Sequence, residues 1–141
     1  MKKEKSCGAV VYKKEHDNLY YLIIKQSKGH VAFPKGHVEG NETNEETAIR
    51  EIKEETNIDV LIDNKFKRIS TYSPLKGVIK DVYYYVGTAI SDNIKEDHKE
   101  VEKVKWCTYE EALQELTYDV DKKILEKANN YVKNKLLNKS V

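Results

Sequence analysis

With 141 residues the chain has the length of one ordinary domain, enough to bury about 68–70% of the surface its unfolded form would expose. Charged residues make up 35% of it, yet 25 Lys and Arg nearly cancel 24 Asp and Glu and leave a formal charge of +1. That balance excludes a global basic field for nucleic acid or membrane surfaces, so any charge that matters must be local.

The opening, MKKEKSCGAVVYKKEHD, is basic, but its apolar run is too short for a signal peptide or a membrane span, which predicts a soluble, cytoplasmic protein. Cys7 and Cys107 lie far apart with no C-x-x-C spacing and read as buried, reduced thiols. Residues 6–12 and 19–24 are apolar, β-branched and aromatic runs around a charged turn, KKEHDN, and read as two strands. Between Lys25 and Thr43 lies the one segment where Gly, His and Pro cluster, KQSKGHVAFPKGHVEGNET, which reads as a functional loop.

From Thr43 the pattern turns helical. Thr43 with Glu46 matches a capping box, Ala48, Ile49 and Ile52 form an apolar stripe, and Asn57 ends the helix in a left-handed conformation. Residues 58–62, 67–72 and 80–89 read as strands, with Pro74–Gly77 as the turn before the last. A strand over 101–106 and helices around 110–115 and 120–137 complete a mixed α/β chain, expected to be a single domain over 1–141.

The decisive segment is Arg50-Glu51-Ile52-Lys53-Glu54-Glu55. Helical spacing projects Glu51, Glu54 and Glu55 together, away from the expected apolar stripe. Like charges at that spacing repel by a few tenths of a kcal/mol per pair, roughly. A hard divalent cation such as Mg²⁺, which takes oxygen ligands, would compensate them. A solvated Glu-rich surface face is the alternative, and the Gly-rich loop just before the helix favours the functional reading.

At these residues the chain resembles the Nudix hydrolases. Their signature is G-x(5)-E-x(7)-R-E-U-x-E-E-x-G-U, with U a bulky aliphatic, and here it reads Gly36, Glu42, Arg50, Glu51, Ile52, Glu54, Glu55, Asn57, Ile58. Asn57 alone departs, standing where the family has Gly, and Asn is the mildest substitute in a left-handed cap. SCGAVVY, FPKGHVEGNET and VKWCTYEEALQELTYDVDKKILEKA extend the likeness to the asymmetrical bis(5′-nucleosyl)-tetraphosphatases over most of the chain. The resemblance implies a mixed sheet sandwiched between helices, an α/β/α arrangement of the α+β type.

It also implies roles. Glu51, Glu54 and Glu55 would be metal ligands, with the Lys35 carbonyl, for Mg²⁺ or alternatively Mn²⁺. Glu100, six residues before Trp106, would be a further ligand or the base, and either Glu54 or Glu100 could take the proton of the attacking water. Arg50 would hold carboxylates in place, with Glu42 and Glu46 as its companions, although Glu46 can equally be no more than the capping acid.

His30, Lys35, Gly36, Tyr72, Lys76, Lys80, Tyr84 and Tyr118 are the substrate-binding expectation. Lysines suit phosphates, and Tyr72 and Tyr118 would clasp an adenine, stacking being worth about 1–3 kcal/mol per base. Strand alternation puts Tyr84 with Val82 and Val86, opposite Tyr83 and Tyr85, so core packing competes with ligand contact there. His37 reads as a surface residue, Trp106 as core, and Val31 stands where many relatives carry an aromatic.

The expected reaction is hydrolysis of a dinucleoside polyphosphate, diadenosine tetraphosphate to ATP and AMP. The partner is then a small nucleotide, with no membrane, no stable nucleic-acid partner and a monomeric enzyme. A nucleoside triphosphate or an RNA 5′-triphosphate is the alternative substrate. A binding-only Nudix module would be expected to have lost carboxylates that this chain retains.

Overall fold

The computed structural model describes residues 2–139. The elements run β1 (Lys2–Glu15), β2 (Asn18–Gln26), β3 (Val31–Ala32), β4 (Lys35–His37), α1 (Asn44–Thr56), β5 (Val60–Tyr72), β6 (Val78–Ala89), β7 (Val101–Cys107), α2 (Tyr109–Glu115) and α3 (Asp119–Lys139). The strands form one mixed sheet in the order β3-β2-β1-β6-β5, with β4 added to β1 and β7 to β2. β1 and β6 are parallel, whereas the other pairs are antiparallel.

Sequence chemistry explains the elements. His16 and Asp17, with φ of 50° and 70°, form the two-residue turn between β1 and β2, whose twist suits a hairpin. Each sheet face buries its own cluster. On one side Val10, Tyr21, Val82, Tyr84 and Val86 pack against Ala112, Leu116, Ile124, Leu125 and Ala128 of α2 and α3. On the other, Cys7, Ala9, Val11, Leu22 and Tyr85 pack against Ala48 and Ile52 of α1. The mixed sheet between helices is therefore the expected architecture.

Four expectations change. The strands expected over 58–62 and 67–72 are one strand, β5, which starts at Val60 and whose register shifts between Asp63 and Arg68 instead of breaking. Two short strands, β3 and β4, form within the segment read as loop. Ile49 is 41% exposed, and the buried stripe of α1 is Thr47, Ala48, Ile52, Glu55 and Thr56. Trp106 is half-buried rather than core, because β7 pairs only with β2 and leaves the ring to the Lys13 ammonium, 4.7 Å from its centroid. Cys7 and Cys107 are buried and free, as read from the sequence.

The sheet splits where the site lies. β1 pairs with β2 through Tyr12–Glu15 but with β4 through Ser6–Gly8, so on the edge away from β6 the first half of β1 is flanked by the Gly-rich segment instead of a long strand.

Candidate active site

Helix α1 is fixed at both ends. The Thr43 side chain accepts from the Glu46 N–H and the Glu46 carboxylate accepts from the Thr43 N–H, a complete capping box that makes Glu46 the capping acid. At the other end Asn57 adopts φ 67°, and its side-chain amide donates to the Asn93 carbonyl at 2.9 Å. A glycine could take the same conformation but could not make that bond.

The three carboxylates do not share one environment. Glu55 lies on the buried stripe because seven residues bring the helix almost back to the side of Ala48, which corrects the expectation that it projects away from the core. It accepts the Lys35 N–H at 2.9 Å. Glu51 lies over Gly36, and a side chain at Gly36 would run into the Glu51 carboxyl. Gly36 thus serves first to let β4 lie against the acidic face of α1.

Arg50 gathers the rest. Its Nε donates to Glu42 Oε2 at 2.7 Å and its Nη2 to Glu42 Oε1 at 3.0 Å, a bidentate pair. Nη1 meets Glu51 at 2.7 Å and Glu54 at 3.3 Å, and Nη2 also donates to the His37 carbonyl at 2.9 Å. The hydrogen bond from Arg50 holds the Glu42 carboxyl down at about 2. Burial pushes Glu55 up to about 8, aided by the Glu51 and Glu100 charges and opposed by the Lys35 N–H. Burial likewise raises Glu51 against the pull of Arg50.

Glu100 is exposed in the loop before β7, and its charge acts on both Glu51 and Glu55. Its carbonyl accepts the Ser27 N–H at 2.9 Å, which ties that loop to the β2–β3 turn. Sheet register sets Tyr72 beside Lys80 and Lys80 beside Glu4. Burial and then Lys35 lower the Lys80 pKa, so the two ammonium groups feel each other. Tyr72 and Tyr118 are 43% and 50% exposed and electrostatically coupled, and His30 stands 5.8 Å from the Tyr118 ring at a 54° tilt. His30 is lowered by burial and then by Lys35 and Lys28.

Two expected substrate residues are not presented beside these groups. Tyr84 is only 2% exposed and packs edge-on against Phe33, so its ring is committed to the core. Lys76 is exposed in the β5–β6 turn, and among the described residues no ion pair draws it toward the carboxylates. His37 is exposed, with Nε2 3.9 Å from Glu4.

Residues 2–128 match the family described as the NUDIX domain. The chain belongs to the Nudix family. It is similar to the asymmetrical bis(5′-nucleosyl)-tetraphosphatase of Caenorhabditis elegans, 32% identical over 119 residues that cover 81% of this chain and 86% of the relative. A solved binary complex of the C. elegans Ap4A hydrolase superposes with a TM-score of 0.84 at 30% identity, covering 93% of this chain and 98% of that one. A mutator protein of Mycobacterium tuberculosis is 32% identical over 103 residues, of which this chain spans only 42% of the length. The protein is a Nudix hydrolase related to Ap4A hydrolases.

In this Nudix hydrolase, no three His, Cys, Asp or Glu side chains among the described residues stand together as a closed ion cage. Arg50 engages Glu51 and Glu54, and the Lys35 N–H engages Glu55, so each carboxylate is turned to a donor. The donor set nonetheless fits a divalent cation: oxygen atoms only, three acidic residues on adjacent turns, and a glycine at 36 that leaves room for the Glu51 carboxyl beside β4. No helix of the described residues is long and apolar enough to cross a membrane.

Sequence reasoning missed Asp121 and Glu4. Asp121 sits in the first turn of α3, 5% exposed, and burial raises it to about 6 against the pull of Lys35. Its position near a helix start reads from sequence as a dipole-stabilising acid, and only its burial marks it as different.

Proposed function

We propose that this Nudix hydrolase cleaves a phosphoanhydride bond of a dinucleoside polyphosphate, diadenosine tetraphosphate and water giving ATP and AMP. The observation that carries the reading is the chain of close charges that joins Glu51, Glu54, Glu55 and Glu100 through Lys35, whose N–H bonds Glu55, to Lys80, which the sheet register sets beside the exposed Tyr72. Such a set suits a chain of phosphates ending in a base. The likeness to tetraphosphatases over most of both chains supports the same choice.

Glu51, Glu54 and Glu55, with the Lys35 carbonyl and Glu100, would hold Mg²⁺, with Mn²⁺ the alternative. The bound ions would supply charge neutralisation for the polyphosphate and a more acidic water. Glu54 or Glu100, the two most exposed carboxylates of the set, takes the proton from the attacking water. Arg50 keeps Glu51 and Glu54 at their posts. Lys35 and Lys80 stand against the phosphates, His30 and Gly36 line the approach, and Tyr72 and Tyr118 stack on a base. The chain acts as one domain over 1–141, as a cytoplasmic monomer.

Product analysis with Mg²⁺ tests this reading, comparing diadenosine tetraphosphate with dATP and a 5′-triphosphate RNA. ATP and AMP are expected, and Glu55→Gln is expected to abolish them. Turnover of only dATP or RNA would move the substrate assignment to the triphosphate alternative, and no metal-dependent turnover of any of the three would return the chain to a binding role.

A further inference from the structure

Strand register sets a polar patch where β1 and β6 begin and β5 ends. Tyr72, Lys80 and Glu4 are neighbours across β5, β6 and β1, and Ser70, Val82 and Ser6 form the next row. Alternation along the strands puts both rows on the face that α3 covers, the face of Tyr84. Asp121 lies in the first turn of α3, and Tyr118 immediately precedes the helix, its carbonyl accepting the Asp121 N–H at 3.1 Å; both act electrostatically on Tyr72 of this patch.

Two polar groups here have no partner. Ser6 is fully buried and its Oγ makes no hydrogen bond. Asp121 is 5% exposed, and among the described residues its carboxyl accepts no hydrogen bond and forms no ion pair, with Lys35, Tyr72 and Tyr84 as the groups whose charge or hydroxyl acts with it. Stabilising a helix start does not require burial, and exposed Asp119 already supplies that charge. The Asp121 carboxyl oxygens are not among the buried unpartnered atoms of the described residues, Ser6 Oγ and Trp106 Nε1, so they keep access to the surface, and a largely desolvated carboxyl open there is placed to bond a donor.

We propose that Asp121 is a specificity-determining residue, its carboxylate receiving the N–H edge of the nucleobase clasped by Tyr72 and Tyr118. The inference rests on the dinucleoside polyphosphate reading above and adds a base preference to it. An ionised carboxylate only accepts, and it offers two acceptor oxygens side by side. Guanine presents two adjacent donors, N1–H and N2–H, to match them. Adenine presents one donor, N6–H, beside the N1 lone pair. Among dinucleoside tetraphosphates, those carrying guanine are therefore the better substrates, by roughly tenfold in kcat/KM, the scale of a good bidentate base contact.

The test compares diguanosine with diadenosine tetraphosphate for the wild type and for Asp121→Asn, with melting curves to show that the variant folds. The amide keeps the shape but pairs an acceptor with a donor, a pattern that suits adenine. The guanine preference is expected in the wild type and is expected to fall or reverse in Asp121→Asn, mainly through KM. Equal ratios in the two proteins, or a wild-type preference for adenine, would overturn the proposal. If neither compound is cut, the substrate reading has failed, and calorimetric binding of GMP against AMP to the two proteins still decides whether Asp121 reads the base.

Discussion

Arg50 serves six acceptor atoms at once: both oxygens of Glu42, one of Glu51, both of Glu54 and the His37 carbonyl. A lysine would keep the charge but not the planar fork that spans these directions. Arg50→Lys should therefore loosen the carboxylates and weaken divalent-ion affinity by about 10–100-fold, the usual effect of losing an outer partner of a metal ligand. Titration with Mn²⁺ followed by electron paramagnetic resonance would read it. An unchanged titration would mean that the guanidinium does not position the ligands.

At the scale of elements, the shift of register in β5 is anchored from the opposite layer. Asp63, at the shift, accepts from the Tyr131 hydroxyl at 2.6 Å and from the Lys135 ammonium at 2.9 Å, both on α3. Burial works to raise the Asp63 pKa, but Lys135 and Tyr131 prevail and hold it at about 2. Because the folded value lies below the unfolded one of about 3.9, this tie stabilises the fold fully above pH 4. It is lost as pH falls from about 4 toward about 2. In urea denaturation across that window, Asp63→Asn should show a flatter loss of stability than the wild type. Parallel curves for the two proteins would assign acid sensitivity to other carboxylates.

Taken whole, the molecule places its acidic wall where three separately folded pieces meet: α1, the β4 segment and the loop carrying Glu100. Their mutual repulsion disfavours the native state, and a divalent cation that binds only that state must stabilise it by mass action. Mg²⁺ at about 100 times its dissociation constant should add about 2.7 kcal/mol, seen as a higher Tm. Glu55→Gln should lose most of that increment. A wild-type Tm indifferent to Mg²⁺ and Mn²⁺ alike would contradict the assignment of this wall as a metal site.

Local chemistry was sufficient for much of this. Strand alternation, the Thr43–Glu46 capping box, the left-handed Asn57 and the Arg50–Glu55 segment depend on neighbours within one or two turns, so they are legible in the chain order. Contacts between distant segments are not. That Glu55 is buried on the Lys35 N–H, that Tyr84 belongs to the core, and that Asp121 on the first turn of α3 is buried near Tyr72 all depend on which strands pair and in what register. The sequence determined the chemistry available to the site. The tertiary structure decided which of those groups are desolvated, because burial comes from packing between elements rather than from the order of residues along them.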